Sequence, residues 1–329
     1  GISKTSSYLK KMKSYNENSI FLSSGDMWQG SSESNNTHGK IVTEWMNLLD
    51  FSSMTVGNHE FDWGIERISE NKEIARFPFL GINVYDKETN ERSEVFDSSV
   101  MVEKDGVSIG IIGAIGDCYS SISSSKVTDL YFKTGDELTE LVKEESKKLK
   151  DEGADVVVYS LHDGYSGGNY KTTSEEAPTL DSGKIKSFYD VSLSDGYVDV
   201  VFEGHTHQKY VYKDAYGVYH VQASANNRAI AHVDVDVNKK TGDVKVNTVR
   251  TADTSAIMEG KDAQTEALFD KYADDIGKVY EVIGQNYKKR YSDEIEDLCA
   301  DLYLKAGLEE WGEEYEIFLG GGYLKTRSP

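Results

Sequence analysis

Cysteine is scarce. The 329-residue chain has two, Cys118 and Cys299, which cannot make a disulfide framework and do not fix a redox compartment. Cys299 falls on the apolar face of a helical pattern and reads as a small buried hydrophobe. Long apolar runs are missing too. No stretch reaches the roughly 18 uninterrupted apolar residues of a membrane-spanning helix, so no membrane insertion is expected. Positive charge is in deficit, with 36 Lys and Arg against 57 Asp and Glu and a formal net charge of −21. DNA, RNA and anionic lipid each require a cationic face, so no nucleic-acid partner is expected. A small phosphorylated substrate stays compatible if bound cations invert the local field. The start, Gly1-Ile2-Ser3-Lys4, has neither an initiator Met nor an apolar leader and reads as a processed or trimmed beginning. The sequence carries no signal of oligomeric state.

What is present is a βα rhythm in a chain long enough for one large domain and part of a second. Residues 4–15 read as a helix with Tyr8, Leu9 and Met12 inward. A strand follows at 19–23, then a helix from about 39 with Ile41, Val42, Trp45, Met46 and Leu49 on one face. Further strands are expected at 53–56, 78–82, 94–103 and 107–113, with a helix at 64–75. Thr134 and Glu137 form a capping-box pattern ahead of Leu138, Leu141, Val142 and Leu149, and Gly153 closes that helix. After a strand at 155–160, the Gly/Ser-rich segment 164–169 reads as mobile or as an ordinary surface loop. Short runs at 209–213, 218–223, 230–237 and 243–249 follow. Asn238-Lys239-Lys240-Thr241-Gly242 suggests a hairpin, hence late antiparallel strands.

A boundary is expected near 250–262, dividing the chain into residues 1–255 and 256–329. Beyond it, Leu268, Tyr272, Ile276, Val279, Tyr280 and Ile283 keep helical spacing. A second helix carries Ile295, Leu298, Cys299 and Leu302, and the strand-like run 316–319 leads into Gly320-Gly321-Gly322. A helix–helix–strand piece of this length cannot bury a core alone, so it reads as the start of a second α/β domain.

Four strand-like runs end in the same chemistry. Ile20-Phe21-Leu22 leads into Gly25-Asp26, Met54-Thr55-Val56 into Gly57-Asn58-His59-Glu60-Phe61-Asp62, Val156 to Tyr159 into His162, and Val198 to Phe202 into Gly204-His205-Thr206-His207. Ligands of open α/β sheets bind beyond the carboxyl ends of the strands, so these loops should converge. Asp, Asn and His gathered together have the composition of a metal site. Asp62, three residues past His59, is near enough to bond its ring and fix the tautomer; capping a helix near residue 64 is the alternative task for Asp62. His38, His220 and His232 fall outside these runs and read as surface or packing residues.

Gly25-Asp26…Gln29-Gly30-Ser31, Gly57 to Gly64, His162 and Gly204-His205-Thr206-His207 together resemble the motif series of calcineurin-like metallophosphoesterases. The Gly-Asn-His-Glu-Phe-Asp form is similar to the 5′-nucleotidase branch. The resemblance implies a four-layer α/β/β/α sandwich over residues 1–255, followed by a linker helix and the opening of that branch's C-terminal domain. It implies hydrolysis of a phosphate monoester, most readily a nucleoside 5′-monophosphate, by in-line attack of a water activated by two divalent ions of the Zn, Mn or Fe class. Asp26 would bridge both ions, Asn58, His162 and His205 would complete the second, and His207 would serve the first. His59 would stabilise the phosphoryl oxygens or protonate the leaving group, held by Asp62. The family's opening Asp-x-His motif has no counterpart here, so the first strand is expected to lie upstream of Gly1, and the second metal site should be better preserved than the first. The same fold also serves cyclic-nucleotide phosphodiesterases and nucleotide-sugar pyrophosphatases. From another class, a catalytically silent binding or surface protein is the rival. An extracellular or cell-envelope address is expected from the branch.

Overall fold

The first third of the chain folds into three short parallel strands beneath a layer of helices. These are α1 (Ile2–Tyr15), β1 (Phe21–Ser23), α2 (Ser32–Asn36), α3 (Lys40–Leu48), β2 (Phe51–Thr55), α4 (Ile65–Ile74) and β3 (Phe79–Leu80), with strand order β1-β2-β3. The computed structural model describes residues 1–167, 171–180, 195–257, 259–277, 297–302 and 305. The strand expected at 316–319, the triple glycine and part of the 164–169 loop lie outside them.

The inward face of α1 is smaller and more polar than its spacing predicts. Ser3, Thr5, Ser6 and Leu9 are buried, whereas Met12 is half-buried. Close neighbours explain this: the Trp45 indole donates to Ser6 Oγ at 2.8 Å, and Thr265 Oγ1 donates to the same atom at 2.9 Å. Small hydroxyl residues let these elements approach while satisfying one another. Trp28, Ile41, Trp45, Met46, Met54 and Phe79 form the core between the helices and the small sheet.

The rest builds a larger sheet. β4 (Val84–Asp86) pairs with β7 (Leu130–Phe132) beside it. β5 (Ser99–Lys104), β6 (Val107–Ile115), β8 (Val156–His162), β9 (Val200–Glu203), β10 (Lys209–Lys213) and β11 (Tyr219–Ala223) form six strands in the order β10-β11-β9-β8-β6-β5. The four strands β6, β8, β9 and β11 run parallel. Every residue of β8 is buried, as a strand covered on both faces must be. Val156 and Val158 face the small sheet, in a cluster with Leu80, Ile111 and Val200. Val157, Tyr159 and Leu161 face α5 (Gly135–Asp151) and its Leu138, Val142 and Leu149. The period of two thus gives helices, sheet, sheet and helix, the four-layer α/β/β/α arrangement.

The hairpin β12 (Ala229–Val237) and β13 (Val244–Asp253) is antiparallel and adds Val233, Val235 and Val244 to the layer between the sheets. The capping pattern at Thr134 places the start of α5 at Gly135, but Thr134 makes no side-chain cap bond. Gly135 enters in left-handed backbone, φ +55°, which breaks the geometry a capping box needs. α6 (Ala263–Lys271) and α7 (Ala273–Gly277) follow, with Leu268 of α6 in the first core cluster. The first compact unit accordingly runs from Gly1 to Val279 and the second from Tyr280 to Pro329. Residues 297–302 are helical. Cys299 is only half-buried there, and Leu298 and Leu302 are exposed, so the buried-hydrophobe reading of Cys299 does not hold among the described residues. No helix among the described residues is long and apolar enough to cross a membrane.

Candidate metal centre

The register of the large sheet aligns the strand ends. Ile115 pairs with His162, and Leu161 with Glu203, so the loops after β6, β8 and β9 leave one edge together. Across the sandwich, β1 delivers Asp26 and β2 delivers Asn58 to the same place. Asn58 Oδ1 lies 3.1 Å from His162 Nε2 and 2.9 Å from His205 Nδ1. Asp26 Oδ2 lies 3.2 Å from His162 Nε2. Four side chains, one from the last residue of β8 and three from the loops after β1, β2 and β9, therefore join a carboxylate oxygen, a carboxamide oxygen and two imidazoles in a chain of contacts.

Packing at this point is tight enough to dictate residue type. A side chain at Gly57 would collide with the carboxylate and backbone of Asp26. Asp26 itself sits in left-handed backbone, φ +56°, a conformation that costs free energy and persists where the surroundings over-determine it. Glu60 provides that constraint. Its fully buried carboxylate accepts the backbone N–H of Asp26 at 2.8 Å, Met27 at 2.7 Å and Gly57 at 2.7 Å. Burial, then the charge of Asp26, push Glu60 above its ordinary range.

The electrostatics show what the centre wants. His162 is fully buried, and its Nδ1 donates to the Ser24 carbonyl at 2.6 Å. Its Nε2 then faces Asp26 and Asn58, both acceptors. With Nδ1 as the N–H, the neutral ring meets them with a lone pair. Only a proton or a metal cation on Nε2 makes the contact attractive. Burial lowers the His162 pKa, but Asp26 outweighs it and raises the value to about 9. Burial and the charge of His162 hold His205 down to about 4. Asp26 is kept below its ordinary range by His162, against the effect of burial. More acceptors than donors meet here, and oxygen and imidazole donors of this kind suit a divalent transition metal. The residues present fit a cation.

His59 stands beside this group. Its backbone N–H donates to Asp26 Oδ1 at 2.9 Å, and its ring Nδ1 lies 2.9 Å from Asp62 Oδ2. Gln29 Nε2 donates to the same carboxylate oxygen at 2.9 Å. Asp62 does not cap the next helix: the N-cap of α4 is Gly64, without a side-chain cap bond. His59 keeps 39% of its side chain exposed. His207 is exposed, on the same loop as His205. The remaining histidines divide as packing and surface residues: His220 is fully buried, while the His38 ring abuts Trp63 at 5.6 Å and His232 is half-buried.

Several residues here had no distinguishing sequence signal. Glu60 was legible only as part of the motif, because a carboxylate serving backbone amides has no periodicity. Cys118, after β6, brings its Sγ within 4.8 Å of a ring nitrogen of His162 and of His205, and donates to the His162 carbonyl at 2.9 Å. Burial and the neighbouring Asp163 push its thiol up. Asp163 is itself buried, with Oδ2 unpartnered among the described residues.

Two facing sheets, with carboxylate, carboxamide and imidazole groups converging at one edge, define a metallophosphoesterase fold. Residues 1–209 match the family model of the calcineurin-like phosphoesterases, and the chain belongs to that family, whose members are dinuclear metal enzymes. An apyrase from Tabanus yao is 32% identical over 202 residues, covering 60% of this chain and 32% of the apyrase. A 2′,3′-cyclic-nucleotide 2′-phosphodiesterase/3′-nucleotidase from Yersinia enterocolitica is 29% identical over 229 residues, 65% of this chain and 33% of that one. The structure of a 5′-nucleotidase precursor from Thermus thermophilus shares the fold, with a TM-score of 0.66 at 22% identity, covering 87% of this chain and 55% of that one. The chain spans about a third of the length of the curated relatives it matches.

Proposed function

We propose that this chain is the catalytic part of a metal-dependent hydrolase of nucleoside 5′-monophosphates. One observation carries the reading: Asp26, Asn58, His162 and His205 meet through atoms that only a proton or cation can reconcile. When bound, a pair of divalent cations activates water and neutralises phosphoryl charge. Asp26, Asn58, His162 and His205 would hold the better-furnished second ion, with Asp26 and His207 contributing to the first; Zn, Mn and Fe all suit this set. His59 offers Nε2 to the phosphoryl or leaving oxygen, since Asp62 occupies Nδ1. Asp62 holds the ring and is itself held by Gln29 Nε2, while the Asp26 carboxylate accepts the His59 backbone N–H. Residues 1–255 would form the catalytic body, and 256–329 would supply the linker helix, which packs Leu268 of α6 into the first core cluster, and the opening of a second domain. The expected extracellular or cell-envelope address stays part of this reading, and fractionation of cells making the full-length protein checks it.

The test is hydrolysis of AMP, a 2′,3′-cyclic nucleotide and UDP-glucose by the full-length protein. AMP is expected to be the best substrate. The relative from Yersinia enterocolitica supports the cyclic nucleotide as the second reading, and no turnover of any phosphate ester would leave the silent binding protein. His59→Ala in the full-length protein should lose about 10²–10⁴ in kcat while keeping fold and metal. Equal turnover by that variant removes His59 from the mechanism.

A further inference from the structure

The loop carrying His205 and His207 is held in an unusual shape. Both histidines adopt left-handed backbone, φ +62° and +59°, a strained conformation for residues with a side chain. The three residues interleaved with them are gripped by one side chain from the neighbouring strand. Gln222 of β11 is 1% exposed. Its Nε2 donates to the Gly204 carbonyl at 2.6 Å, and its Oε1 accepts the Gln208 N–H at 2.7 Å and the Thr206 hydroxyl at 3.0 Å. Nothing in the strand pairing requires this, because Gln222 already pairs with Glu203 and Tyr210 through its backbone.

The loop that follows His162 is built around the same carboxamide. A Cβ at Gly164 would overlap Gln222 Nε2 and come within 2.8 Å of Tyr210 Oη. Tyr210 Oη accepts the Tyr165 N–H at 2.8 Å and the Gln222 Nε2–H at 2.9 Å. Gln222 thus lies between the backbones on which His162 and His205 stand.

We propose that Gln222 is a positioning residue of the metal centre: its buried carboxamide fixes Gly204, Thr206 and Gln208, and so fixes the strained backbone from which His205 and His207 project. This rests on the metal-dependent reading above. Gln222 touches neither ion nor substrate; it sets the geometry of groups that do.

The experiment compares the whole chain with Gln222→Leu, Gly164→Ala and Tyr212→Phe. Tyr212 bonds the same buried cluster through Glu203, at 2.8 Å, without touching the loop backbone. Mn(II) affinity is measured by titration calorimetry, amide hydrogen exchange at His205 and His207 in the metal-free protein, and thermal midpoint alongside. Gln222→Leu and Gly164→Ala should each weaken Mn(II) binding at least tenfold and speed exchange at His205 and His207 at least tenfold. Exchange in β8 should be unchanged, and Tyr212→Phe should stay within twofold of the parent in both readouts. Folded Gln222→Leu and Gly164→Ala proteins with parental affinity and exchange overturn the proposal. So does loss of fold in both, since the carboxamide would then be holding the sheet rather than the loop. A parent that binds no Mn(II) defeats the metal-dependent reading instead, and the exchange measurement still decides the role of Gln222.

Discussion

Two buried histidines in this molecule have nearly the same surroundings by charge and opposite meanings. His162 and His220 are both fully buried among carboxylates, and each has its pKa lifted to about 9 against the effect of burial, His162 by Asp26 and His220 by Glu203. Around His220 the arrangement is closed. Nδ1 donates to Glu203 at 2.6 Å, Nε2 reaches Asp214 at 3.5 Å, and the ring stacks on Tyr212 at 4.6 Å. Glu203 also accepts the hydroxyls of Tyr210 and Tyr212, while Asp214 accepts the N–H groups of Tyr216 and Val218. The imidazolium is itself the cation, and every acceptor near it has a donor. Around His162 one nitrogen is spent on Ser24, and the other faces Asp26 and Asn58 together, with His205 joined to the same carboxamide oxygen. Charge does not separate the two sites. Counting donors against acceptors does: a cluster with surplus acceptors is a place for a cation.

The strongest way to break this comparison is to remove each ring. His162→Ala should weaken divalent-metal binding by about three orders of magnitude, because one of only four assembled donors is lost. With metal bound its fold should survive, since of the three acceptors that lose a partner, the Ser24 carbonyl, Asp26 Oδ2 and Asn58 Oδ1, the last two would still face the cation. His220→Ala should do the reverse. It leaves Glu203 and Asp214 buried without their cation, at about 3–5 kcal/mol of stability, while metal affinity at neutral pH shifts far less. Denaturant titration and calorimetry on the two variants check both arms. If His220→Ala loses metal and His162→Ala loses stability, the distinction is inverted.

That distinction was only partly legible in the sequence. Asp26, Asn58, His162 and His205 could be picked out because each follows a strand-like run and the strands of an α/β sheet end on one edge. His220 could be set aside as a surface or packing residue because it falls outside the motifs. Its partners could not be read, since Glu203, Asp214 and Tyr212 come together only when β9, β10 and β11 pair. The layers were legible from periods of two and 3.6, but the polar inward face of α1 was not. Ser3 and Ser6 are buried for the sake of Trp45, Asp262 and Thr265, and sequence spacing carries no record of such distant partners. Glu60 was hidden for the same reason, its partners being main-chain amides of three other residues.

Glu60 sharpens the comparison as a third kind of buried acid, hydrogen-bonded among the described residues by main-chain amides and not by an imidazole ring. Glu60→Gln keeps the shape and replaces one acceptor oxygen by an NH₂ group facing main-chain donors. The orphaned amides should cost about 1–3 kcal/mol. Because those amides belong to Asp26, Met27 and Gly57, the variant should also loosen metal binding, unlike any change at Glu203 of equal thermodynamic size. A variant that loses stability but binds metal as the parent does would show that Glu60 braces the fold alone.

The smallest effect is the one that separates the two rings within a single protein, by pH. A histidine whose folded pKa, about 9, exceeds its ordinary value of 6.5 stabilises the fold fully below pH 6.5, and that contribution is lost as the pH rises through 9. In the presence of a chelator both rings obey this rule, so the thermal midpoint should fall from pH 6.5 toward 9. A cation at the centre takes the place of the proton on His162 but not of that on His220. Its apparent affinity should therefore climb by up to about tenfold per pH unit below 9, since less proton has to be displaced. The midpoint measured with saturating Mn(II) should pull steadily away from the chelator curve as the pH rises. In His220→Ala the chelator curve should flatten while that widening gap persists. In His162→Ala the gap should close at every pH. A gap that narrows with rising pH in the parent protein would mean that metal and proton do not compete for one nitrogen of His162, and the two histidines would differ in some other way than the one drawn from their neighbours.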